Sequence, residues 1–214
     1  MIEPGAREVR IMAEQRTIGV LHGVSITVAA WDGAMAAVDL SFACMFEREL
    51  TDAGPAGGLR HLDDALGGAL TELRRAGYFR ASPMETLLLS RLPATVVARA
   101  VMVVGLGDPS TWSPALTAEA AATAVRAAIQ QGVESAAFAP SLLDAGLMSS
   151  ATGDVAALML KAVAGGISAQ VRIAAMGLAP PPSLRQWVFD VGPAHMDTVT
   201  EHFQAALATL VPAA

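Results

Sequence analysis

Residues 100–108, reading AVMVVGLGD, constrain this chain more than any other stretch. Five consecutive apolar residues, three of them valine, run directly into Gly105-Leu106-Gly107, and a helical pattern opens at Thr117. A short aliphatic run without polar alternation is the signature of a strand buried on both faces, because neither face meets water. The chain is therefore expected to be an α/β domain with this strand near its centre. Glycines at the carboxyl end of such a strand allow a sharp turn, at the end where open α/β sheets place their ligands.

At 214 residues the chain is expected to form one domain, able to bury roughly 70% of its unfolded surface. Hydrophobic residues make up 53% and charged residues 16%, so exposed apolar surface, and with it self-association, is expected. The net charge is −6, without a basic stripe, which excludes the electrostatic footprint of a nucleic-acid binder. No run of about 18 uncharged apolar residues stands ready to span a bilayer, so no membrane partner is expected. The amino terminus carries Glu3, Arg7, Glu8 and Arg10 instead of a basic patch and an apolar segment, which argues against a secretory signal. A lone cysteine, Cys44, makes no internal disulfide; a reducing cytoplasm is the expected location.

Along the chain, residues 9–13, 18–21, 24–31 and 37–43 read as short strands, with Val38, Leu40 and Phe42 expected on one face. Residues 47–60 contain Gly54-Pro55-Ala56-Gly57-Gly58 and read as a long loop. Leu62, Leu66, Leu70 and Leu73 then recur at helical spacing, with Asp63 and Asp64 at the start, Arg74 and Arg75 at the end and Gly77 beyond, which predicts one dipole-matched helix. Strands are expected at 84–89, 99–104 and 135–139, and an alanine-rich helix at 117–131. After a second loop, 141–153, a helix is expected over 154–164, stopped by Gly165-Gly166, followed by strands at 169–176 and around Trp187, Phe189 and Val191. A last helix, opened by Pro193, carries Met196, Val199, Phe203, Ala206 and Leu210 inward.

Three of these stretches together, LDDALGGALTELRRAGYFRASPMETLLL, AVMVVGLGD and TAEAAATAVRAAIQQGVESAAFAP, resemble the amino-terminal domain of the leucyl aminopeptidase (cytosol aminopeptidase) family. The tail, SAAFAPSLLDAG and RQWVFDVGPAHMDTVTEHFQAAL, is similar to macro domains. The resemblance implies a macro-domain-like three-layer α/β/α fold with a mixed central sheet. In that family a separate carboxyl-terminal domain holds two metal ions on clustered Asp, Glu and Lys residues. This chain runs to Ala214 with Lys161 as its one lysine and no such cluster, so neither aminopeptidase activity nor a metal or other cofactor is expected.

Backbone N–H groups at Gly105, Gly107 and Asp108 are suited to cradle a phosphate, although a plain left-handed turn explains the same glycines. Gly57 and Gly58, with Ser149, Ser150 and Gly153, occupy the order in which macro domains place two ligand loops; a nucleotide such as ADP-ribose is the ligand this implies. Ser149 and Ser150 equally suit a helix cap. The segment CMFEREL lacks the asparagine-rich loop of macro domains that hydrolyse ADP-ribose adducts. Asp32 falls near where macro domains have an aspartate that reads adenine, a contact only the resemblance implies, and Asp32-Gly33 by itself reads as a turn. His61 beside Asp63 and Asp64 is explained by the helix dipole, His195 and His202 lie two helical turns apart, and Cys44 reads as a small buried residue. Three functions follow in order: a non-catalytic module that self-associates or docks on a partner protein, a macro-type nucleotide binder, and an assembly subunit of a separately encoded aminopeptidase.

Overall fold

A computed structural model describes residues 14–31, 33–50, 54–142, 154–191 and 196–210. Its strands are β1 (Gln15–Leu21), β2 (Val24–Ala29), β3 (Leu40–Met45), β4 (Thr86–Leu89), β5 (Ala100–Gly105), β6 (Ser135–Ala139) and β7 (Gln186–Asp190). The helices are α1 (Gly57–Ala65), α2 (Ala69–Arg75), α3 (Pro114–Gln130), α4 (Val155–Ala175) and α5 (Met196–Leu210). All seven strands form one mixed sheet in the order β1-β2-β7-β6-β3-β5-β4. The inner neighbours pair in parallel, and the outer strands β1 and β4 pair antiparallel with β2 and β5.

The AVMVV run is buried as its composition demands, yet β5 lies second from the edge and not at the centre. Burial on both faces comes from the helical layers, which reach further across the sheet than its middle strands. On one face α3, α4 and α5 pack against Ile26, Val28, Leu40, Phe42, Val104 and Phe138. On the other, α1 and α2 cover Ala29, Ala43, Val101, Val103 and Val188. Val38 belongs to this second cluster, apart from Leu40 and Phe42, because regular strand geometry begins only at Leu40.

Two expectations need correction. The leucine-rich segment is two helices, not one: Gly67 and Gly68 both take positive φ (70° and 81°) and break it. Asp63 is then no dipole partner of its own helix but the acceptor that caps α2, taking hydrogen bonds from Leu70 N (2.8 Å) and Thr71 N (3.3 Å). The expected strand at 169–176 is instead the last part of α4. Gly165-Gly166 does not stop that helix. A β-carbon at Gly166 would lie 2.5 Å from Val125 Cγ1, so the glycine admits the close approach of α3 to α4.

Among the described residues α4 is long and apolar enough to cross a bilayer by length and composition alone, with Lys161 and Arg172 in it. Its Val155, Met159, Leu160, Val163 and Ile167 are buried in the first core cluster, which accounts for that apolar stripe. The expected strand at 9–13 and the start of the last helix at Pro193 lie outside the described residues.

At the amino-terminal end of the parallel strands, Asp39 fastens three of them. Its carboxylate accepts from Glu134 N (3.1 Å), Ser135 N (3.0 Å) and Ser135 Oγ (3.0 Å), and from Arg99 at 3.3 Å. Burial alone would raise the carboxyl pKa; the hydrogen bonds from Ser135, Glu134 and Arg99 outweigh it and hold the group below its ordinary 3.8.

Candidate functional site

The carboxyl ends of β2, β7, β6, β3 and β5 lie together at one end of the sheet, because these strands run parallel. The Gly105–Asp108 turn is here, and the N–H groups of its residues 105–107 have internal acceptors. Gly105 N donates to Glu85 O (2.8 Å), Leu106 N to Met45 O (2.9 Å) and Gly107 N to Ala81 O (2.8 Å). The carbonyls of the turn are used as well: Met84 N donates to Gly105 O (2.9 Å) and Glu47 N to Gly107 O (3.0 Å).

The glycines at this turn have steric reasons. A β-carbon on Gly105 would lie 2.1 Å from Ser82 O and 2.5 Å from Ala81 C, so the backbone of residues 81–82 crosses where a side chain would stand. Gly107 has φ +72°, and its β-carbon would meet Pro83 Cγ at 2.8 Å. The crossing arch itself bends through left-handed Ala81 (φ 60°) and Met84 (φ 61°), and the Glu85 carboxylate braces it by accepting from Ser82 N (3.0 Å) and Arg80 N (3.1 Å). Nothing in the composition of residues 79–85 marks this arch; two non-glycine left-handed residues are seen only in three dimensions.

Asp108 is drawn into the same internal stitching. Its Oδ1 accepts from Ser110 N (2.9 Å), Ser110 Oγ (2.8 Å) and Arg48 (2.8 Å). The Ser110 backbone bond, then its hydroxyl, then the Arg48 charge lower the carboxyl pKa, although the side chain is exposed. Arg74, expected to answer a helix dipole, forms a nearly buried ion pair with Glu49 (2.8 Å) and donates to Phe46 O (2.8 Å), tying α2 to the loop after β3.

Gly57 and Gly58 are not in a loop: they are the first two residues of α1. Gly33, just after β2, sits so close that its β-carbon would lie 2.6 Å from Gly58 O. Nearby in the chain, Trp31 N donates to the buried Asp190 side chain at 3.0 Å, which joins the ends of β2 and β7. The structure thus brings Gly105, Gly107 and Asp108 together with the loop after β3, and Gly58 against Gly33. Ser149, Ser150, Gly153, Asp32 and His195 lie outside the described residues.

Of the remaining candidates, Cys44 is buried on β3 and burial pushes its thiol pKa up, away from nucleophilic use. His61 and His202 are exposed. No group of three or more His, Cys, Asp or Glu residues poised to hold a metal occurs among the described residues.

A seven-stranded mixed sheet with this order, three helices on one face and two on the other, defines a macrodomain-like α/β protein. The likeness holds against solved structures. The macrodomain of Oceanobacillus iheyensis, solved with ADP, aligns over 92% of this chain and 97% of its own at a TM-score of 0.58 and 14% identity. The Trypanosoma brucei macrodomain, also in complex with ADP, aligns over 85% and 68% with a TM-score of 0.54 and 15% identity. A mutant of tomato leucine aminopeptidase aligns over 86% of this chain with a TM-score of 0.57 and 19% identity, and this chain spans 35% of that enzyme's length. No curated protein matches the chain by sequence. The model of the cytosol aminopeptidase family, N-terminal domain, matches residues 44–166, more than half of the chain, and the protein belongs to that family.

Proposed function

We propose that this protein acts as a non-catalytic assembly module in a reducing compartment such as the cytoplasm, associating with itself or docking on a partner protein. One observation carries this reading: large apolar side chains stand in solvent, among them Tyr78 (81% exposed), Leu178 (72%), Met176 (63%) and Val20 (60%). Such surface on a chain with few charges favours burial against protein. The internally bonded N–H groups of residues 105–107 support it too, since a phosphate held by them would have to displace main-chain hydrogen bonds. Light scattering across a concentration series tests the reading. A mass of two or more chains, or a complex with a separately encoded aminopeptidase chain, is the expected result. A 22.0 kDa particle that stays single and captures nothing overturns it.

A second reading, a nucleotide-binding module for ADP-ribose or a related ligand, is favoured by one feature: Gly33 packed on Gly58 opens α1 at the carboxyl ends of the strands, where open sheets bind ligands. Calorimetric titration with ADP-ribose, with AMP and NAD as controls, separates the two. Saturable heat moves the protein to the nucleotide binders; no heat together with an oligomeric mass leaves assembly as its role.

A further inference from the structure

The two edges of the sheet are treated differently. Strand β1 is blunted: its register against β2 shifts between Thr17 and Gly19, Arg16 is held by Glu14 and Asp197, and Leu207 of α5 sits where a Gly19 side chain would be. Strand β4 has none of these devices. It pairs with β5 in unbroken register from Thr86↔Val104 to Leu89↔Val101, carries no charge, and leaves Leu88 41% exposed.

The direction in which β4 offers its main chain follows from one bond. Gly105 N donates to Glu85 O at 2.8 Å, so the Glu85 carbonyl points at β5. In an antiparallel ladder the N–H and C=O of one residue point to the same neighbour and successive residues alternate. The main-chain groups of Leu87 and Leu89 therefore face β5, and Thr86, Leu88 and Ser90 present their N–H and C=O groups outward, where no strand follows among the described residues.

The stretch from Glu85 to Arg91, ETLLLSR, is its own antiparallel complement. Folded about Leu88, it sets Leu88 opposite Leu88, Leu87 opposite Leu89, Thr86 opposite Ser90 and Glu85 opposite Arg91, the Glu85 carboxylate keeping its bonds from Ser82 N and Arg80 N and meeting the second copy's arginine as a charge. Each pairing matches apolar with apolar, hydroxyl with hydroxyl or acid with base, which are the favourable cross-strand combinations. The outward-pointing residues are the ones this register brings into hydrogen-bonded pairs, giving about six new main-chain bonds. Centred on Leu87 instead, the outward groups would still meet, but Glu85 would face Leu89 and Arg91 would face Pro83, and both charge pairs would be lost. Charge complementarity thus selects a second copy of this chain, and one register of it.

We propose that two copies pair through β4, antiparallel about a two-fold axis at Leu88, joining their sheets into one continuous sheet. This rests on the self-association reading above and names its surface. The test measures mass by light scattering and sedimentation for the full chain and three variants. A dimer is expected for the unaltered chain. Leu88→Pro removes an outward N–H that no β5 bond uses and is expected to give a monomer with unchanged circular dichroism. Arg91→Glu, which turns both charge pairs repulsive, is expected to weaken the dimer about tenfold. Leu88→Cys is expected to form a covalent dimer on oxidation, whereas Tyr78→Cys, exposed elsewhere, is not; this readout stands even if the proline variant fails to fold. An oligomer that Leu88→Pro leaves intact and Leu88→Cys does not cross-link overturns the β4 interface while self-association survives. A single-chain mass for the unaltered protein overturns both.

Discussion

The Gly105–Asp108 turn and the β4 edge are neighbours along the same pair of strands, and they dispose of their main-chain polar groups in opposite ways. At the turn, the N–H groups of residues 105–107 donate to Glu85, Met45 and Ala81, and the glycines exist because another piece of backbone crosses there. At the edge, Thr86, Leu88 and Ser90 turn their main-chain groups away from the sheet, with no strand beyond them among the described residues. The turn spends the N–H groups of residues 105–107 inside the fold, whereas the uncharged edge strand turns every second residue's main-chain groups away from the sheet.

Substitutions sharpen that contrast, and the largest effect belongs to the turn. Gly105→Ala puts a β-carbon against Ser82 O and Ala81 C, which are backbone atoms with nowhere to retreat, so a loss of about 3 kcal/mol in urea unfolding is expected. A variant that unfolds like the parent would show that the arch does not close on the turn.

Asp39→Asn comes next, with an expected cost of about 2 kcal/mol at neutral pH from weakened charge-assisted bonds to Glu134, Ser135 and Arg99. The sign of its pH dependence is set by a folded-state pKa below the ordinary 3.8. The carboxylate contributes its full stability above that ordinary value and loses it as pH falls through the lower folded value. Parent and variant should therefore converge in acid unfolding below about pH 4; a gap that stays constant to lower pH removes Asp39 as the fastening of β3, β6 and the segment before β5.

Two adjacent glycines of α4 give effects of opposite sign. Gly166→Ala pushes on Val125 Cγ1 and should lose about 1 kcal/mol. Gly165→Ala meets nothing within 4 Å and should gain about 0.5 kcal/mol from helix propensity, read as a small rise in Tm. At the edge the expected change in stability is smallest: Leu88→Lys should alter unfolding by less than about 0.5 kcal/mol while changing the mass. A large loss of stability there would mean that β4 serves the fold and not a partner.

Much of the architecture was legible along the chain. The AVMVV run had to be buried, SAAFA between a glycine and a proline had to be a short inner strand, and alternation in the last strand placed Trp187 and Phe189 on one face; these occupy β5, β6 and β7. The failures share one cause. Gly67-Gly68 breaks a helix and Gly165-Gly166 does not, although the two pairs are alike in sequence. The difference is that Val125 of α3 is packed on the second pair, and a contact from a helix about 40 residues away has no local signature. The same holds for the candidate site. The sequence singles out Gly105 and Gly107, but the space above them is filled by the backbone of residues 81–82 and by the Pro83 ring, on an arch bent through left-handed Ala81 and Met84 that no pattern announces.

By itself, then, the sequence determined the α/β class, the buried strands and the amphipathic helices, because hydrophobic periodicity and burial are properties of neighbouring residues. Tertiary structure alone decided the strand order, the continuation of α4 through its glycines, and which main-chain donors are consumed and which face outward. Those depend on pairing between distant segments, and a hydrogen bond is specified by both of its ends.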